Sequence, residues 1–218
     1  MDDGADVCAV PGESALRDIF GRPGDLAKRK DIGHLDKHCR RFIELSPFLC
    51  IGTADKNGKA DVSPRGDPPG FVQVLDDKTL IIPDRPGNNR LDTMSNILEN
   101  PAVGLLFFIP GFDDTLRING KATITADPAI LERATVDRKQ PKVAIRVAVE
   151  EAFFHCAKAF RRSRLWQPDA QVDRAIVPSL ARIIMEQVAE VRQKCGPNDA
   201  EVEAADVALE EDYRTELY

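Results

Sequence analysis

The stretch "FLCIGTADKNGKADVSPRG" (Phe48–Gly66) holds two strand-length runs on either side of Lys56-Asn57-Gly58-Lys59. Asn-Gly between such runs is the strongest short hairpin signal, because a type I′ turn needs positive φ at both central positions. The stretch therefore predicts an antiparallel hairpin closed by a type I′ turn. Alternation along its second arm puts Ser63 and Arg65 on one face.

Working outward, "FVQVL" (Phe71–Leu75) and "TLIIPD" (Thr79–Asp84) bracket Asp76–Lys78 and predict a second hairpin. Upstream, "HLDKHCRRFIELS" (His34–Ser46) has near-helical apolar spacing and is stopped by Pro47. Downstream, "RLDTMSNILEN" (Arg90–Asn100) predicts a helix with Leu91, Met94, Ile97 and Leu98 on one face, ended by Pro101. "AVGLLFFIPG" (Ala102–Gly111) is nearly continuous in apolar residues, as expected of a strand buried on both faces. "TLRINGKATITAD" (Thr115–Asp127) alternates with period two. "KVAIRVAVEEAFFHCAKAF" (Lys142–Phe160) starts as a strand and turns helical near Cys156, and "PSLARIIMEQVAEVRQK" (Pro178–Lys194) is an amphipathic helix closed by Gly196-Pro197. Six to seven strands joined mainly by hairpins describe a mainly β (α+β) fold, an antiparallel barrel or sandwich with helical additions. A βαβ reading of residues 78–109 fits poorly beside the two hairpins.

At 218 residues, 43% apolar and 30% charged, the chain can bury a core without staples. No apolar run approaches the roughly 18 to 20 residues of a membrane span, so no membrane insertion is expected. Five cysteines, odd in number and without a C-x-x-C pair, argue against a disulfide framework or a zinc site. With an acidic start that lacks a secretory pattern, a reducing cytoplasm is the expected compartment. Residues 198–218 carry eight acidic groups and one basic, while the rest of the chain holds 29 basic and 28 acidic. A nearly neutral body without a basic stripe makes nucleic acid an unexpected partner. The acidic tail reads as a solvated helix face or a frayed end. His34 and His38 have i,i+4 spacing but no third ligand in view, so no metal is expected. His155 beside Cys156 reads as packed rather than catalytic. No Ser/His/Asp arrangement or G-x-S-x-G is present.

"IIPDRPGNNRLD" (Ile81–Asp92) places amide and guanidinium donors where a helix is expected to begin. Two readings stay open: an Asn N-cap with a surface arginine, or a phosphate cradle made of helix N–H groups and a first-turn arginine. Two further cation-bearing segments, "VSPRGD" (Val62–Asp67) and "HCAKAFRRSRLW" (His155–Trp166), make a shared anionic, planar ligand more attractive.

Taken in order, the first hairpin, "VSPRGD", the strand ending "IPD", the "GNNR" loop, "ILENPAVGLLFFIPG" and "LRINGKA" resemble the pyridoxamine 5′-phosphate oxidase-like FMN-binding proteins. The resemblance covers roughly Phe42–Asp127, with an echo at Phe153–Trp166, and its most specific pieces are "ENPAVGLLF" and "INGKA". It implies a six- to seven-stranded split β-barrel over residues 34–167, after an N-terminal lead (1–33) and before a helical extension with the acidic tail (168–218). It implies FMN as cofactor, a homodimer with the flavin site at the subunit interface, and an oxidoreductase acting on a small-molecule redox substrate. Ser63 and Arg65 would lie near the ribityl-phosphate or ring edge, and Ile82 and Pro83 would give main-chain contacts. Asn88, Asn89 and Arg90 would replace the family's Ser-Arg-Lys phosphate clamp, with Arg90 as the principal phosphate ligand. Lys158, Arg164 and Trp166 would reach the flavin ring. "RSRLW" departs from the "RLHDR"-like substrate segment, which points to an oxidase-related branch rather than the vitamin B6 enzyme. A flavin carrier or redox sensor, or a split barrel holding haem or a deazaflavin, are the alternatives.

Overall fold

Seven stretches pair into one antiparallel sheet. In the computed structural model, which describes residues 9–218, the strands are β1 (Phe48–Ala54), β2 (Ala60–Gly66), β3 (Gln73–Val74), β4 (Thr79–Pro83), β5 (Ala102–Phe108), β6 (Thr115–Thr125) and β7 (Ala144–His155). Helices α1 (Glu13–Phe20), α2 (Asp25–Arg29) and α3 (Lys37–Leu45) precede the sheet. Helix α4 (Asp92–Glu99) joins β4 to β5 and α5 (Pro128–Arg133) joins β6 to β7, while α6 (Lys158–Ser163), α7 (Leu180–Val191) and α8 (Asp199–Thr215) follow. Cys8 lies outside the described residues.

The strand order is β2-β1-β5-β6-β7-β4-β3, antiparallel throughout. β2 and β4 share no ladder, yet Arg65 on β2 forms an ion pair with Asp84, just past β4, at 3.1 Å. The sheet therefore curls until β2 and the far end of β4 approach through side chains rather than strand pairing. This is an antiparallel split barrel, and the split is the gap between β2 and β4.

Inside it, Ile43, Leu49, Ile51, Leu80, Ile82, Leu105, Phe107, Leu116, Ile118, Ile145 and Val147 form one core. Full burial of such a side chain is worth about 1.5–3 kcal/mol. β4 is buried on both faces because α5 covers its back, packing Leu131 on Ile81 and Ala144. Pairing shifts at Asn119/Gly120, so that β7 bulges at Glu150. A Cβ on Gly120 would stand 2.1 Å from the Ala148 carbonyl oxygen, so only glycine fits there. The half of β7 that β4 leaves uncovered is met by the lead: Ile32 N–H donates to the Ala152 carbonyl and the Asp31 carboxylate accepts from Ala152 N–H.

Three local expectations need correction. The first hairpin forms, but only Gly58 has positive φ, at 83°. The Asp55 carboxylate accepts from the N–H groups of Asn57 and Lys59, and Gly58 N–H donates to Asp55 O. That Asx turn keeps Asn57 at negative φ and gives a type I turn with a glycine bulge instead of type I′. β5 buries only Val103, Leu105 and Phe107, and its other face is half-covered within one chain. On α4 the buried side chains are Thr93 and Ile97, whereas Leu91 and Leu98 are exposed. The acidic tail forms the solvated helix face expected of it rather than a frayed end: α8 starts with an Asn198/Glu201 capping box, keeps its acidic side chains exposed except for half-buried Asp206, buries Val202 and packs on α7.

Candidate functional site

β2 reverses the usual barrel alternation. Its Asp61, Ser63 and Arg65 face inward, half-buried, while Val62 on the opposite face is 69% exposed. A polar row facing the split, where an apolar row would complete the core, hollows out a cavity. Its volume is about 830 Å³, and it lies between β2, the loop after β4, the start of α4 and residues 139–142.

Ser63, Arg65, Pro83, Asn88, Asn89 and Arg90 all line this cavity. Arg65 is the best placed of the cations expected to bind an anion. Its side chain is only 20% exposed, its Nη1 pairs with Asp84, and its Nε is buried without any hydrogen-bond partner. Burial pushes the Asp84 carboxyl above its ordinary pKa, against the pull of Arg65. A buried guanidinium N–H left unpaired is costly unless a ligand meets it.

The cradle expected at the helix start takes a different form. α4 begins after Arg90, and its N-cap is Leu91 at φ 59°, with no side-chain cap. Asn89 is also left-handed, at φ 56°. These two turns carry Arg90 outside the first helical turn, where its Nε donates to Asp92 at 2.8 Å. The first turn instead holds Asp92, the acid that the helix dipole favours there. The Asp92 hydrogen bond and charge raise the pKa of Arg90, whose side chain is 73% exposed.

The other arginine of this loop, Arg85, was not among the expected ligands. It is the loop's structural bolt. Nε donates to Asp67 at 2.6 Å and Nη1 to the Ala134 carbonyl at 2.9 Å, with 16% of the side chain exposed. Lys139, Lys142 and Tyr218 also line the cavity and were missed. The basic run around Lys139 was legible in "DRKQPK", but nothing local said that it would face the split.

Lys158, Arg164 and Trp166 lie apart from this cavity. Lys158 opens α6 and is exposed. Arg164, left-handed at the end of α6, pairs with Asp169. Trp166 donates to the Phe112 carbonyl at 2.7 Å and stacks on Phe160. With Asp113, these last residues border a second, smaller cleft of about 430 Å³. His155 is half-buried, and burial together with Lys30 and Arg117 pushes its pKa down. His34 Nδ1 lies 2.7 Å from the Ile32 carbonyl. Among the described residues, no three His, Cys, Asp or Glu side chains are grouped to hold a metal. No described helix is long and apolar enough to cross a membrane.

The curled antiparallel sheet with a polar cleft at its split defines a split-barrel protein. The chain belongs to the pyridoxamine 5′-phosphate oxidase family, whose model matches residues 35–156. Similar solved structures include HupZ from Group A Streptococcus, 22% identical, with a TM-score of 0.45 and coverage of 55% of this chain and 92% of that one. An FMN-binding protein from Syntrophomonas wolfei is 12% identical, with a TM-score of 0.41 and coverage of 66% and 96%. General stress protein 26 from Bacillus anthracis is 17% identical, with a TM-score of 0.39 and coverage of 53% and 88%. Comparison with curated proteins gives no match.

Proposed function

We propose that the chain is an FMN-binding flavoprotein, an oxidoreductase acting on a small molecule, with the flavin in the split between β2 and β4. The observation that carries this reading is Arg65: a mostly buried guanidinium on an inward-facing polar row, with its Nε unpartnered, at the wall of a cavity large enough for a cofactor. The donor set fits the group. Arg65, with Lys142 at the rim, would meet the phosphate, Arg90 would stay in its solvated pair with Asp92, and Asn88 and Asn89 offer amide donors to the phosphate oxygens or to the ribityl hydroxyls. Ser63 and Pro83 would lie along the flavin. Membership of the family supports the assignment.

Bound flavin would supply the hydride chemistry, and the protein's part is binding, orientation and charge. Asp84 fixes the Arg65 guanidinium at the cavity wall by accepting from Nη1. Arg85, clamped between Asp67 and the Ala134 carbonyl, holds the loop that carries Asn88 to Arg90.

A homodimer belongs to this proposal. Lys158, Arg164 and Trp166 sit outside the cavity of their own chain, so they would act on the flavin only from a partner. The half-covered outer face of β1 and β5, where the Phe48 and Phe108 rings pack at a tilt and Phe108 meets Phe160, would offer the apolar surface for that contact.

The test is spectroscopic. Purified protein reconstituted with FMN should show flavin bands that bleach with a nicotinamide donor. Bands that resist physiological reductants would make it a carrier instead, and a Soret band with no flavin uptake would reject the flavin reading.

A further inference from the structure

The cavity wall includes a segment that belongs to neither the barrel nor the loop after β4. Glu216 and Tyr218, just beyond α8, reach back across the molecule to line it. The Tyr218 hydroxyl donates to Asp67 Oδ1 at 2.6 Å, and its ring lies over the Arg85 guanidinium, 5.3 Å from ring centroid to Cζ. Lys139 Nζ donates to the Tyr218 main-chain oxygen at 2.6 Å. A ring on a guanidinium, a hydroxyl on a carboxylate and an oxygen on an ammonium amount to three ligand-like contacts made by one residue. The hydrogen bond to Asp67 raises the phenol's pKa, so at neutral pH Tyr218 is the donor.

We propose that Glu216–Tyr218 is an internal ligand of the cavity, occupying its Arg85/Lys139 end and leaving when an anionic ligand enters. The proposal rests on reading the cavity as the FMN site, and three features point to displacement rather than permanent closure. Asp67 keeps its bond to Arg85 when Tyr218 departs, and Lys139 is exposed, so departure strands no buried charge. The arm that carries the segment is lightly held: α7 has no buried residue, α8 buries only Val202, and an Arg182–Asp199 pair at 2.6 Å joins the two helices. Glu216 brings a negative charge to the cavity wall and the Tyr218 main-chain oxygen holds Lys139, so an entering phosphate meets like charge and competes for that cation.

Hydrogen exchange of residues 215–218 in the full chain, measured alone, with saturating FMN and with inorganic pyrophosphate, tests this directly. FMN titration of Tyr218→Ala beside the parent completes the experiment. Either anion should speed exchange of the segment severalfold, and Tyr218→Ala should bind FMN about 3- to 10-fold more tightly. Exchange that is unchanged or slowed by both anions, or weaker FMN binding by Tyr218→Ala, would overturn the proposal. If pyrophosphate releases the segment while FMN binds neither protein, the displacement stands and the flavin assignment falls.

Discussion

Three arginines within 26 residues meet three fates, and the difference lies in what surrounds each guanidinium. Arg85 is bonded on two sides to protein atoms, Arg90 is exposed beside Asp92, and Arg65 is mostly buried with one N–H spare. Arg65→Ala should weaken FMN binding by about 1.5–3 kcal/mol, the scale of a charge-assisted hydrogen bond, whereas Arg90→Ala should change it less than about threefold, as expected of a solvated ion pair. Isothermal titration of both variants checks the ranking. The sequence marked Arg65 and Arg90 alike as cations near strand and helix ends. Only the curl of the sheet separates them, because burial of Arg65 depends on β4, distant in sheet order. Cys39 offers a second test at this scale. Burial, followed by the nearby Asp36, pushes its thiol up to about 12, so at pH 8 it should resist thiol reagents while exposed Cys156 and Cys195 react. Peptide mapping after alkylation reads this out. Gly120→Ala drives a Cβ into the Ala148 carbonyl and should cost at least about 3 kcal/mol in chemical denaturation.

Among the elements, α3 shows how a cap couples to pH. The Asp36 carboxylate accepts from the N–H groups of His38 and Cys39, and the Cys39 bond is the main cause that lowers its pKa below 3.8. A depressed carboxylate pKa gives stability that is present above the unfolded value and is lost as pH falls through the folded one. Asp36→Ala should therefore cost about 0.5–2 kcal/mol near neutrality and progressively less as the pH falls below the ordinary carboxylate range, measured by urea denaturation at a series of pH values. Elements of this kind were legible: strand positions, the α3 span and the end of α4 at Pro101 follow from periodicity and breakers. Details that depend on one side chain meeting one backbone group were not. The Asp55 Asx turn replaced the type I′ turn, and left-handed Asn89 and Leu91 moved the start of α4 past Arg90. The continuous apolar run of β5 gave no sign that one of its faces would stay half-covered within a single chain.

For the molecule as a whole, the proposed homodimer would cover the half-covered β1/β5 face and bring Lys158, Arg164 and Trp166 to the partner's cavity. Light scattering should give about twice the 24.1 kDa chain mass. Phe108→Glu, which puts charge on that face, should shift the protein toward monomer and weaken FMN binding with it. The family was readable from short motifs in one half of the chain, whereas the return of Tyr218 to the cavity was not, because a contact 151 residues apart with Asp67 leaves no local pattern. The most direct test of a flavin site built on Arg65 is a fluorescence titration of FMN with the parent and with Arg65→Ala at matched ionic strength. Saturation at one flavin per chain, with at least tenfold weaker binding by Arg65→Ala, is the expected result. A parent that leaves FMN fluorescence unchanged, or an Arg65→Ala variant that binds as tightly as the parent, would contradict it.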